Sequence, residues 1–369
     1  MIRLTGLGIE RNADRATENH VIQIDGSSHS GSGTIVRYAV TLATLAGKPI
    51  QVTRIRARRP KPGLRPQHLQ ALRACRSLCE GRLEGDEVGS DTIRYYPGTR
   101  LKGGEFSWDI GTAGSTTMLA GTVIPLALYA ESPCRFVMQG GLFQDFAPSA
   151  LYIDKVLLPL LRRMGAHIEQ EILRPGYVPK GEGRLSVKVD ALHEPLKPLG
   201  FRRQGNVTQF HAVSLASHLE RENVSSRMAA HCQSLVAQLG RPVQVKIVDD
   251  ATAAQKGAVM LLWAETDSGC RIGADRAGKR GRSSESIAEF VVRTLMEDLQ
   301  TGATTDRHLA DQLILFAALA SGRTEYVIPQ VTDHVQSNLW LVEEMLGAKT
   351  ELQRNHLRIN GIGLPPHNT

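Results

Sequence analysis

Apolar positions along the chain fall into blocks that repeat one pattern three times. Ile22 to Ile55 (IQIDGSSHSGSGTIVRYAVTLATLAGKPIQVTRI) reads as a short strand, a Gly/Ser-rich turn, a helix of small and aliphatic residues ending at Ala46-Gly47, and a second strand. Phe106 to Gln139 (FSWDIGTAGSTTMLAGTVIPLALYAESPCRFVMQ) follows the same order, its helix ending at Ala130-Glu131. Asp306 to Gln330 (DRHLADQLILFAALASGRTEYVIPQ) repeats the helix, ending at Ala320-Ser321, and the strand after it. Gly33 and Ser115 enter the first two helices. A second helix follows each block, at about Gln67–Leu78, Ile153–Arg163 and Asn338–Met345, and then a strand pair. The repeated unit is therefore βαβαββ. Helices with an apolar stripe bury it against neighbouring sheets, so the three units predict one large domain.

The third block arrives roughly 100 residues later than the spacing of the first two implies, which predicts an insertion. Residues 201–300 read as a small α/β domain with strands near Thr208–Ser214, Val243–Val248, Ala258–Ala264 and Cys270–Ile272. Its helices lie near His218–Leu239 and from Ser284, where Ser283 or Ser284 caps and Glu285 follows in the first turn. Residues 1–200 and 301–369 form the large domain, with Asn360–Thr369 as a loose tail. The fold class is α/β (α+β).

Composition narrows the function classes. The apolar run Met118–Ala130 is too short for the ~20 residues a membrane span needs and contains Pro125. The N-terminal MIRLTGLGIERNADRATENH has no apolar leader core. Five cysteines show neither CxxC nor zinc-type spacing and read as reduced thiols of a cytoplasmic protein. Aromatics make up 5%, so composition advertises no base-stacking platform.

The net charge of +7 matters less than its distribution. Gln51 to Cys79 holds no acid but carries Arg54, Arg56, Arg58, Arg59, Lys61, Arg65, Arg73 and Arg76. Arginine forks suit phosphate, and Pro60, Pro62, Gly63 and Pro66 keep the first six of these cations in an irregular loop. The turn Asp25–Thr34 and its counterpart Gly111–Thr116 suit either ordinary tight turns or phosphate cradles at helix N-termini. Neither matches a Walker loop or GxGxxG. Asp333-His334-Val335-Gln336-Ser337-Asn338 lies between the third unit's strand and its second helix, where the first unit carries the Arg-rich loop. A neutral imidazole there can attack phosphorus without a base to activate it.

Taken together, IDGSSHSGSGTIVR, RARRPKPGLRPQH, IGTAGSTT, the GG of MQGGLFQDFAP, HLADQL and TDHVQSN resemble the RNA 3′-terminal phosphate cyclase family over about Ile22–Ile359. The resemblance implies a large domain of three βαβαββ repeats with a small α/β insertion. It implies an enzyme that transfers AMP from ATP to a histidine and then to an RNA 3′-phosphate, which closes to a 2′,3′-cyclic phosphate. By motif position His334 is the implied nucleophile. Arg37, Arg56, Arg59 and Gln67 fall where phosphates of ATP or the RNA end are held, and Asp311 and Gln312 where the nucleotide site is lined. ATP, a divalent cation (Mg²⁺ or Mn²⁺) and RNA 3′-phosphate ends are the implied partners, with no membrane.

Three departures bear on this expectation. Ser30 stands where the family's glycine loop usually carries a Glu that holds the cation, so no metal ligand is assigned. His308 replaces a common Tyr, and Gly140-Gly141-Leu142-Phe143-Gln144-Asp145 replaces a GGT-Asx loop. The alternative reading is a non-catalytic relative acting in RNA processing or ribosome assembly; Ser30 favours it and His334 opposes it. An enolpyruvyl transferase shares the repeat but needs no histidine in this position.

Overall fold

The computed structural model describes residues 21–238 and 240–367. The N-terminal segment read as lacking a leader core, Leu239 and the last two residues lie outside them. The first unit runs β1 (Ile22–Asp25), α1 (Gly33–Ala46), β2 (Ile50–Thr53), α2 (Pro66–Cys79), β3 (Arg82–Glu84) and β4 (Ile93–Tyr96). Its sheet has the order β1-β2-β4-β3, with β1 and β2 parallel and the remaining pairs antiparallel. The second unit runs β5 (Gly104–Asp109), α3 (Thr116–Ala127), β6 (Cys134–Gly140), α4 over 150–163, β7 (Ile168–Arg174) and β8 (Gly183–Val189), with the matching order β5-β6-β8-β7. Within α4, Ile153–Leu157 widens into a π-turn, the kind of local irregularity found beside functional sites.

In the insertion, β9 (Val207–Ser217), α5 (Val224–Ala237), β10 (Val243–Asp250), β11 (Gly257–Thr266), β12 (Arg271–Ala277) and α6 (Ser284–Gln300) build a four-stranded sheet ordered β10-β9-β11-β12. Period two divides its faces. Val213, Leu215, Val259, Leu261 and Trp263 pack into the large core of the repeats. Ala212, Met260, Leu262 and Ile272 pack on α5 and α6 in a second core. Burial on both faces explains the unbroken apolar run of β11. Ser283 is the cap of α6, its hydroxyl accepting from the Ser286 amide at 3.1 Å.

The third unit continues with α7 (Leu309–Leu319), β13 (Ser321–Val327), α8 (Asp333–Leu346), β14 (Lys349–Gln353) and β15 (His356–Ile362). Its sheet is β13-β15-β14, and a parallel bridge between Gly200 and Glu325 puts residues 199–201 in the place of the leading strand. The Glu325 amide donates to the Leu199 carbonyl (2.9 Å), and the Phe201 amide to the Glu325 carbonyl (2.8 Å). The third unit thus has a bridged segment in the place of a strand before its helix, and the inserted segment leaves between the two. Three sequence expectations need correction. The first helix of the insertion starts at Val224 rather than His218, because β9 runs on to Ser217 and a turn over 220–223 follows it. Asn360–Ile362 is not tail but the end of β15, paired with Ser321–Arg323. Helix α8 begins five residues before Asn338, because the Thr332 hydroxyl caps the Val335 amide (3.2 Å) and places the polar residues 333–337 inside the helix.

Candidate active site

The first turns of five helices converge on one cavity of about 650 Å³. Helix α1 brings Ser32, Gly33, Thr34 and Arg37; α2 brings Gln67 and His68; α3 brings Thr117 and Met118; α7 brings Asp311 and Gln312, with His308 just ahead of it; α8 brings His334. Arg56 and Arg59 reach it from the Arg-rich loop. Helix N-termini carry partial positive charge and free amides, which favour anions. All seven residues singled out from the sequence, Arg37, Arg56, Arg59, Gln67, Asp311, Gln312 and His334, line this single space. The two glycine turns divide. The first supplies Ser32–Thr34, whereas Gly111–Gly114 stay outside, Gly114 against Gln67 and Ala113 against Gly181. Close packing accounts for Gly114 and a left-handed backbone, φ 72°, for Gly111.

The histidine is held by a neighbour from the first unit. Thr34 Oγ1 lies 3.3 Å from His334 Nδ1 and also accepts from Arg37 Nη2 at 3.4 Å. Nε2 of His334 has no hydrogen-bond partner among the described residues. With Nδ1–H donating to Thr34, Nε2 carries the free electron pair. Burial, then Arg59 and Arg37, hold the His334 imidazolium below its ordinary range, against a smaller opposing effect of Asp333. The ring is therefore neutral at pH 7.

The cations around it are short of counter-charge. Arg37 is 4% exposed, yet among the described residues it donates only to the carbonyls of Gly33 (3.3 Å) and Met118 (2.9 Å) and to Thr34. Arg56 donates to the carbonyls of Lys61 (2.6 Å) and Gly63 (2.7 Å). Among the described residues neither of them, nor Arg59, forms an ion pair with a carboxylate. A buried, unpaired guanidinium is costly, and an anionic ligand removes that cost. Gln67 Oε1 accepts from the Ser115 amide at 3.0 Å, so this side chain ties α2 to α3. Met118, Pro148, Ile153, Leu157 and Phe316 give the same cavity apolar walls.

Asp306, which orders the site, was given no role by the sequence. Asp306 is fully buried and accepts from Tyr152 Oη (2.6 Å) and from the amides of His308 (2.9 Å), Leu309 (2.8 Å) and Gly273 (2.9 Å). It thereby fixes the start of α7, and an Asp three residues before an apolar helix was its available signal. His68 packs on Gly33, where a Cβ would come within 2.0 Å of its Nε2. Ser30 Oγ accepts from Ser337 Oγ at 2.8 Å, linking the glycine turn to α8. Among the described residues no group of three or more His, Cys, Asp or Glu could hold a metal.

Asp311 makes the site sensitive to pH. Burial pushes its carboxyl up from 3.8 to about 6, against smaller opposing effects of His308 and Arg37. The folded state thus binds this proton more tightly than the unfolded state. The stability it confers is full below pH 3.8 and lost as pH rises through 6. The loss is at most about 3 kcal/mol by pH 8, and less because cavity water reaches the group. Asp311→Asn should therefore gain stability over the parent at pH 8 but not at pH 4, read from urea midpoints. An equal difference at both pH values would show that Asp311 does not titrate in this range.

The structure is an α/β protein of repeated units whose cavity gathers helix N-termini, three arginines and a histidine. A model of the RNA 3′-terminal phosphate cyclase family matches residues 28–352. Relatives named RNA 3′-terminal phosphate cyclase include that of Pyrobaculum neutrophilum, 34% identical over 351 residues that cover 93% of this chain and 99% of the relative. That of Methylococcus capsulatus is 33% identical over 341 residues, covering 90% and 93%. The chain belongs to the RNA 3′-terminal phosphate cyclase family, a family of ligase-class enzymes. Among the described residues no helix is long and apolar enough to cross a membrane.

Proposed function

We propose that this protein uses ATP to convert an RNA 3′-phosphate to a 2′,3′-cyclic phosphate through an adenylate on His334. The observation that carries the reading is a histidine whose Nε2 has no hydrogen-bond partner, in the same cavity as three arginines that have no carboxylate partner, among the described residues. Nε2 attacks the α-phosphorus of ATP; the N–P bond forms, the bond to pyrophosphate breaks and pyrophosphate leaves. An oxygen of the RNA 3′-phosphate then attacks the same phosphorus and displaces the histidine. The adjacent 2′-hydroxyl attacks the RNA phosphorus, its proton is lost to water and AMP leaves. Arg37, Arg56 and Arg59 neutralise charge as each pentacoordinate phosphorus forms. Apolar walls around Ile153 and Leu157 suit the adenine, and Asp311 and Gln312 supply polar contacts beside it. All five cysteines are free and buried, which suits a reducing cytoplasm.

The residues fit a nucleotide better than a resident metal. Asp145 is committed to Arg282 and Arg276, and no carboxylate stands at Ser30. A divalent cation fits as a companion of the triphosphate, held by phosphate oxygens and water. Ser30→Glu should lower the Mg²⁺ concentration that half-saturates self-adenylation. Identical titrations in both forms would place the cation away from this turn.

Wild-type protein incubated with ATP labelled at the α-phosphate should retain the label through denaturing electrophoresis. The label should be labile in acid and stable in alkali, as a phosphoramidate is. RNA bearing a 3′-phosphate should become resistant to phosphatase. No label with Mg²⁺ or Mn²⁺ would defeat the reading and favour a non-catalytic role in RNA processing.

A further inference from the structure

A second, larger cavity of about 960 Å³ opens between the repeats and the insertion and shares Gln144, Asp145 and Phe146 with the candidate active site. One wall is the loop 143–146 of the second unit. The opposite wall is the loop 278–283 ahead of α6, whose sequence GKRGRS carries no acid. Asp145 joins them: its carboxylate accepts from Arg282 Nη1 (3.1 Å) and Nη2 (3.0 Å) and pairs with Arg276 at 3.4 Å.

With Arg282 so committed, Lys279 and Arg280 remain. Both are exposed, and among the described residues neither side chain has an ion pair or hydrogen bond. Arg227 and Lys256, which also border the cavity, are paired with Glu285 and Glu222. Phe146 stands between the two cavities with its side chain fully exposed at 103%. Its backbone is left-handed, φ 71°, which costs a non-glycine residue energy and is retained where the surroundings fix it. Here they do: Asp145 is clamped on one side, and Ala147 is buried on the other.

We propose that this cleft holds the single-stranded RNA that leads to the 3′-terminal phosphate, with a base stacked on Phe146 and backbone phosphates on Lys279 and Arg280. The inference rests on the cyclase reading above and extends it to the body of the substrate. Continuity with the cavity of His334 places the strand's last nucleotide within reach of the site. An exposed aromatic on a fixed backbone, beside two cations without ion pairs among the described residues, is the combination that binds single strands without sequence preference. Two phosphates met by two cations add to affinity in a salt-dependent way.

Fluorescence anisotropy with a labelled decamer and a labelled dinucleotide, both ending in a 3′-phosphate, tests the cleft. The decamer should bind the wild type more tightly. Lys279→Ala/Arg280→Ala should weaken decamer binding and reduce the slope of log K against log salt by about 1.4, while dinucleotide binding holds. Phe146→Ala should weaken the decamer roughly 5- to 100-fold, and Phe146→Trp should restore it. Equal affinity of the wild type for decamer and dinucleotide, decamer binding unaffected by the double variant, or a duplex bound as tightly as the single strand would overturn the cleft. Labelling by ATP alone, without RNA, reads the active site independently. Adenylate formed with no cleft effect overturns the cleft only, whereas no adenylate on the wild type overturns the reading beneath it.

Discussion

His334→Ala should lose ATP labelling and cyclase activity together, by roughly 10⁴-fold or more, the scale on which removing a nucleophile costs other covalent enzymes. Alanine removes the only atom the proposed chemistry bonds to, Nε2, and no water can store the phosphoramidate in its place. Folding should scarcely change. The ring is half-buried, its hydrogen bond to Thr34 is long at 3.3 Å, and alanine suits the first turn of α8. The melting temperature and the affinity for ATP should both survive, so the loss would lie in chemistry. His68→Ala and His308→Ala, which remove other imidazoles from the same cavity, should slow labelling but leave the label on His334. Because burial, with Arg59 and Arg37, keeps His334 neutral, labelling of the wild type should persist as pH falls through 6.5. A label remaining on His334→Ala protein would place the nucleophile elsewhere.

What the chain revealed in advance depended on whether the signal was local. Helices α1, α3 and α7 are apolar enough to stand out, and the cations of residues 54–65 lie together in sequence as they do in space. The seven site residues come from four separated motifs, and family resemblance, not periodicity, brought them together. Residues 199–201 were illegible as a segment in a strand's place. Three residues show no alternation, and the inserted segment separates them from the helix they precede. The start of α8 was missed for the opposite reason. Apart from Val335 its first turn is polar and brings His334 to the cavity, so the apolar run begins only at Leu339, although Thr332 offered a cap. The Asp145–Arg282 clamp spans 137 positions and left no trace in sequence. The acid-free stretch from Arg276 to Ser284 resembled the Arg-rich loop in kind but held fewer charges. A low aromatic content also concealed Phe146, since composition counts rings and says nothing of where one is displayed.

Arg37 offers the sharpest separation of stability from activity. Arg37→Met should fold at least as well as the wild type while self-adenylation falls about 10²- to 10³-fold, the usual cost of removing one preorganised donor from developing charge. The guanidinium is buried with no carboxylate partner among the described residues, so the folded state bears its desolvation. Methionine fills similar space without that cost. Nor does its loss orphan the acceptors. Gly33 and Met118 lie in helices whose own ladders use their carbonyls, and the Met118 carbonyl also accepts from Thr122 Oγ1 at 2.8 Å. Thr34 keeps its contact with His334. Wild-type stability should respond in the complementary way: ATP supplies the missing anion and should raise the melting temperature, and the variant should lose most of that rise. Parallel thermal melts with and without ATP, alongside labelling, decide the point. A variant that melts well below the wild type yet labels normally would make Arg37 a structural residue and leave the phosphates to Arg56 and Arg59.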